Sequence, residues 1–168
     1  MRKFWLIFMV AVFLSGCSSS IPTKEEGVEL LTAFNKAKYE LEQDDFSKAK
    51  AGLGELYPVI NERIKPFVTE HGFREFEKNM DAGTAILLAM DNLGIQINEI
   101  KIKKIVSTDD EKSLDVDYTM NITVSEHGTK KTDHEALGQV TLVKENDLWK
   151  IERNWDSITY KDDKVHVN

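Results

Sequence analysis

From Thr23 onward the apolar residues of this chain keep first one period and then another. Val28, Leu31, Phe34, Ala37 and Leu41 recur at helical spacing and predict a helix over about residues 24–43. Thr23-Lys24-Glu25-Glu26 reads as its capping box, with Thr23 as N-cap and Glu26 at N3. Asp44-Asp45 suits the start of a second helix, whose stripe is Phe46, Ala49, Leu53 and Leu56. Gly52 and Gly54 weaken it by about 1 kcal/mol each relative to Ala. Pro58 ends or bends it just beyond Tyr57, and 58–71 reads as irregular. A third helix is expected over roughly 73–92, with Phe73, Phe76, Met80, Gly83, Leu87 and Met90 on one face. Its second half, Thr84 to Met90, is apolar nearly all round, which predicts burial.

Beyond Asn92-Leu93-Gly94, a helix stop, the period becomes two. Ile100 and Ile102 alternate with lysines, and Val116, Tyr118, Met120, Ile122 and Val124 alternate with Asp115, Asp117, Thr119, Asn121 and Thr123. One face is buried and the other wet. Ala136, Gly138, Val140 and Leu142 share a face of the third strand, and Trp149, Ile151, Arg153 and Trp155 a face of the fourth. Short turns between them predict a sequential antiparallel meander. The expected register pairs Val143 with Leu148, Val140 with Ile151, Gly138 with Arg153 and Ala136 with Trp155 across the last turn. Val124 then faces Ala136, and Lys103 faces Asp117. The polar stretch 156–168 either adds an edge strand or frays. Helices then sheet is an α+β class: three helices on a four-stranded, or with the tail five-stranded, curved antiparallel sheet. The alternative is an α+β sheet with a loosely attached helical hairpin.

The amino terminus changes the picture. Met1-Arg2-Lys3 is basic, and Phe4 to Leu14 is an unbroken apolar run of 11 residues. That is too short for a spanning helix, which needs about 20, and has the proportions of a signal-peptide core. The following Leu14-Ser15-Gly16-Cys17 resembles the lipobox of bacterial lipoproteins. That resemblance implies cleavage before Cys17 and its thioether linkage to a diacylglycerol, with residues 1–16 as signal and 17–22 as lipidated tether. It also implies anchoring on the extracytoplasmic side of the cell membrane, or of the outer membrane in a Gram-negative cell. The sequence has one cysteine, so acylation would leave no thiol, disulfide or cysteine metal site.

Charge narrows the partners. The 22 basic residues less Arg2 and Lys3 leave 20 against 29 acidic ones, a net of −9. Such a chain is repelled by nucleic acid and by anionic headgroups, so an acyl group rather than a basic surface would hold it to a membrane. Residues 23–155 make one domain, with helices over 23–93 and sheet over 95–155.

The order of elements resembles the NTF2-like (cystatin-like) cone, found in small Gram-positive lipoproteins of unknown function and in amino-terminal domains of some penicillin-binding proteins. The resemblance rests on Glu42-Gln43-Asp44-Asp45-Phe46 between the first helices, Val68-Thr69-Glu70-His71-Gly72-Phe73 before the third, and Leu148-Trp149-Lys150-Ile151 in the closing strand. It implies helices over the concave face of the sheet.

Under the expected register Glu126 faces His134, with Arg153 and Trp155 alongside. A guanidinium, an imidazole and an indole at a cavity mouth would hold an acidic or aromatic ligand. The plainer reading makes these rim ion pairs and a core cap. Catalysis has little support, since the inward positions Met120, Ile122, Val140 and Ile151 are apolar. His127 and His134, beside Glu126, Asp133 and Glu135, read as solvated turn charges rather than a metal site. The acidic pairs Asp44-Asp45, Asp109-Asp110 and Asp162-Asp163 fit caps and turns, with no calcium loop. No cofactor is expected. The functional expectation is a membrane-anchored lipoprotein with a non-catalytic domain for an envelope protein or small ligand. The alternative is an envelope enzyme using the polar cluster.

Overall fold

The computed structural model describes residues 22–107, 112–126, 130–161 and 164–167. Cys17, His127 and the acidic pairs Asp109-Asp110 and Asp162-Asp163 lie outside the described residues. The helical half holds α1 (Lys24–Tyr39), α2 (Gln43–Ala51), α3 (Leu53–Ile64), a short 3-10 turn (Lys65–Phe67), α4 (Glu70–Asn79) and α5 (Gly83–Met90). The sheet half holds β1 (Leu93–Ser107), β2 (Ser113–Glu126), β3 (Lys130–Glu145) and β4 (Leu148–Asp156), in spatial order β1-β2-β3-β4, all antiparallel. The α+β class and the four-stranded meander are as expected.

The helices are five rather than three. The capping box forms, with Glu26 N–H donating to Thr23 Oγ1 (3.2 Å) and Thr23 N–H to Glu26 Oε2 (2.8 Å). α1 stops at Tyr39 because Glu40 turns out of the helix and its Oε1 takes the Ile97 N–H of β1 (2.8 Å), beside a β-bulge. The expected second helix breaks at Gly52, whose φ of +133° strains any residue with a Cβ. α3 then runs through Pro58 and fills half of the stretch expected to be irregular. The proline forfeits one backbone bond, while Leu56, Ile60 and Ile64, one turn apart, are fully buried. At roughly 1.5–3 kcal/mol each, that burial outweighs the break. Asp45, early in α2, takes two bonds from Arg63 of α3 (2.6 and 3.1 Å) and the Glu42 N–H (2.9 Å). Burial raises its carboxyl, but these bonds outweigh that and hold it below its ordinary value. The expected third helix is split at Met80, left-handed at φ 55°, and α5 follows with Ala85, Ile86, Leu88 and Ala89 buried.

The inward face of the sheet is the predicted one through Ile151: Val116, Tyr118, Met120, Ile122, Val124, Ala136, Val140, Leu142 and Ile151 are all buried. The register differs. Asn146 and Asp147 both have positive φ (52° and 64°) and close a two-residue hairpin turn, so Glu145 pairs with Leu148 and Leu142 with Ile151. Glu152 is then an extra residue, because the next pair is Thr141 with Arg153. This bulge reverses the alternation. Arg153 and Trp155 turn outward, opposite Thr141 and Gln139, while Asn154 and Asp156 turn inward, opposite Val140 and Gly138. Val124 meets Thr132 rather than Ala136, and Lys104 rather than Lys103 meets Asp117, after a bulge in β1. Among the described residues the tail adds no fifth strand to this sheet. Its β5 (Ile158–Lys161) and β6 (Lys164–Val167) pair with each other, burying Ile158 and half-burying Val165 and Val167 against the core.

Asp156 becomes a buried hub. Lys38 Nζ pairs with its Oδ2 at 2.8 Å, with both side chains almost wholly buried, and Tyr39 OH donates at 2.8 Å to its Oδ1. Burial and this carboxylate push the Tyr39 phenol well above its ordinary range. Asp81, half-buried nearby, has its carboxyl raised by burial, lowered less by Lys38 and raised again by Asp156. Gly138, opposite Asp156, leaves room for the Tyr118 ring, and Asn35 Nδ2 donates to Tyr118 OH at 3.2 Å.

Two outcomes follow from this interior. A Cβ on residue 138 would lie 2.2 Å from Tyr118 Cζ, so Gly138→Ala should lower stability in urea melts by about 3 kcal/mol, with a smaller loss in a Tyr118→Leu background. Asp81 has a folded pKa above its unfolded one, so its contribution is fully present below the ordinary value of 3.8 and is lost as pH rises through the raised folded value. Asp81→Asn should therefore be more stable than the parent in neutral urea melts, and the difference should close on acidification.

Candidate functional site

The bulge in β4 is covered by the start of α4. Val68 forms a parallel bridge with Ile151, and Thr69 N–H donates to Ile151 O at 3.0 Å. Thr69 caps α4, its Oγ1 taking the Gly72 N–H at 2.8 Å and donating to Glu152 Oε2. A Cβ on Gly72 would sit 2.8 Å from the carbonyl oxygens of Ile151 and Glu152, so only glycine lets the helix approach this closely. His71 Nδ1 lies 2.6 Å from Glu152 Oε1.

Between these elements opens a groove of about 560 Å³. Phe34 and Phe76, edge to face at 6.4 Å, form its apolar floor with Val68 and Ile151. Its polar lining is Glu75, Asp81 and Glu152, with His71, Asn79, Arg153 and Asn154. Asn154 Oδ1 is buried and finds no hydrogen-bond partner among the described residues. Three carboxylates and an orphaned carbonyl make this a place for a group rich in N–H donors seated on an apolar floor.

The expected cluster does not assemble. His134 is half-buried opposite Ile122, and Glu126 holds a backbone position opposite Lys130. Arg153 sits opposite Thr141, seven residues further along β3 from His134, or about 23 Å. Trp155 is exposed on the outer face, where with Arg153 it borders a shallow depression of about 600 Å³ containing Asp115 and Asp117. Arg153 also reaches the groove. The β2–β3 register separates Glu126 from His134, the two-residue turn at Asn146-Asp147 sets Arg153 far along β3, and the bulge turns Arg153 and Trp155 away from the face His134 shares. Among the described residues no three metal-ligating side chains converge, and no helix is long and apolar enough to cross a membrane.

Sequence reasoning missed His71, Asp81, Glu152 and Asn154. A signal was there: Thr69-Glu70-His71-Gly72 combines an N-cap with a glycine at the helix start.

Residues 86–160 match the sequence profile of a family described as the NTF2-like N-terminal transpeptidase domain. No curated protein matches the chain. Among solved structures, the periplasmic domain of DotI superposes with a TM-score of 0.56 at 10% identity, covering 81% of this chain and 96% of that one. A periplasmic fragment of TraM does so with a TM-score of 0.53 at 10% identity, covering 81% of this chain and 98% of that one. At such identities the likeness is one of fold, and together with the profile match over 86–160 and the helix-covered meander it gives the chain an NTF2-like fold.

Proposed function

We propose that this protein is an envelope lipoprotein, held on the extracytoplasmic side of a membrane through acylated Cys17, whose NTF2-like domain binds a ligand or protein segment in the α4–β4 groove without catalysis. The observation that carries the binding site is the orphaned Asn154 Oδ1 among three carboxylates above the Phe34–Phe76 floor. That lining favours a basic or amide-bearing group over an acidic ligand. The anchor is supported by the Leu14-Ser15-Gly16-Cys17 sequence. An envelope location also agrees with the DotI and TraM pieces, which are described as periplasmic. The net charge of −9 for the chain from Cys17 argues against nucleic acid.

One observation favours a second reading, an envelope enzyme. The His71–Glu152 pair at 2.6 Å and the raised carboxyl of Asp81 line the same groove, and such pairs move protons. None of its lining residues is Ser, Cys or Lys, so a covalent route through those groups is not built in. Loss of a measured activity in both His71→Gln and Asp81→Asn, with folding intact, would favour the enzyme.

Cys17→Ala should shift the protein from the membrane fraction to the soluble one without changing its melting temperature, and a variant still membrane-bound would overturn the anchor. A photo-crosslinking side chain at Glu75, on the groove rim, should capture an envelope ligand or protein that the same group at Lys48 of α2 does not. Asn154→Leu should reduce that capture. Equal capture at both positions would overturn the groove as the binding site.

A further inference from the structure

A second surface lies where the tether enters the domain. Pro22, the first described residue, lines a shallow, mostly apolar groove of about 280 Å³ with Leu30, Pro66, Leu148 and Trp149. Leu148 is 63% exposed, more than any other large apolar side chain among the described residues. It follows the Asn146-Asp147 turn directly, with Trp149 half-buried beside it. Strand alternation puts the two on opposite faces of β4 directly behind the exposed polar turn Glu145-Asn146-Asp147, where they form a narrow apolar wedge on the flank of the β3–β4 tip.

The chain outside the described residues says what meets this wedge. Five residue steps separate Cys17 from Pro22, a reach of at most about 18 Å. Acyl chains on Cys17 would therefore hold this end of the domain within that distance of the bilayer. Tryptophan prefers the membrane–water interface, where its ring is buried and its N–H stays hydrated. Charge gives no competing attraction, because the domain is acidic and Lys144 and Lys150 already face Asp147 and Pro66 O.

We propose that the β3–β4 tip docks into the membrane interface, with Leu148 and Trp149 inserted, and so fixes the orientation of the domain. This rests on the lipid-anchor reading above. Glu152 lies four residues up β4 from Leu148, about 13 Å, so the α4–β4 groove would open just above the headgroups. Its ligand would then be met at the membrane surface rather than deep in the surrounding space.

The test uses the processed, acylated protein with Trp155→Phe, in which Trp5 leaves with the signal and Trp149 is the sole tryptophan. It is purified from membranes and reconstituted in phosphatidylcholine vesicles brominated near the headgroup end of the acyl chains. Flotation reads the anchor, and tryptophan emission reads the docking. The expected result is flotation with emission roughly two-fold below that in unbrominated vesicles, unchanged by high salt, because insertion is apolar. Leu148→Asp should restore emission while flotation persists. Flotation without quenching overturns the docking and leaves the anchor standing. Quenching that survives Leu148→Asp overturns the wedge. Failure to float removes the anchor and the docking with it.

Discussion

One extra residue in β4 decides where every side chain beyond it points. Glu152 has no partner on β3, so the two strands fall out of phase by one residue. Without the bulge, Arg153 and Trp155 would face the helices, as the alternation after Trp149 and Ile151 suggests, and Asp156 would face solvent. With it, a carboxylate enters the core and an indole leaves it. The bulge is held by contacts from outside the sheet: Thr69 on the Ile151 carbonyl and the Glu152 carboxylate, His71 on the same carboxylate, and the close approach of Gly72. A bulge on an edge strand costs ladder bonds, and here the cap of α4 replaces them.

The inward turn of Asp156 then ties the two halves together. Lys38 and Tyr39 end α1, and both reach the same carboxylate. A buried ion pair adds little over an apolar pair of equal volume, but half of one costs about 3–5 kcal/mol. The cluster therefore acts mainly through specificity, since any arrangement that separates α1 from the end of β4 leaves a charge buried alone. Gly138 beside it shows the same constraint sterically, leaving the Tyr118 ring a space that no side chain could share.

The groove and the wedge occupy successive parts of β4. Leu148 and Trp149 are at its start, and Glu152 to Asn154 line the groove further along. An exposed apolar pair and a donor-seeking groove thus lie in order along β4. The groove lies at the sheet edge covered by α4, away from the end of β2 and the start of β3, where Glu126 and His134 stand.

Periodicity alone carried the α+β class, the buried face of β2 and β3, the sequential strand order and the Thr23 capping box. These are local properties: each follows from which residues repeat at 3.6 or 2, and from short turns that leave no other pairing. What the tertiary structure decided was phase and interruption. Pro58 lies inside a helix because Leu56, Ile60 and Ile64 gain more by burial than one lost bond costs, and Gly52 breaks a helix where Gly54 does not. The bulge at Glu152 depends on what packs against β4 from the start of α4, more than 70 residues earlier in the chain. An alternation records which residues share a face only while the strand remains regular. Where a distant helix cap supports an extra residue, the pattern continues in the sequence and the face changes in space.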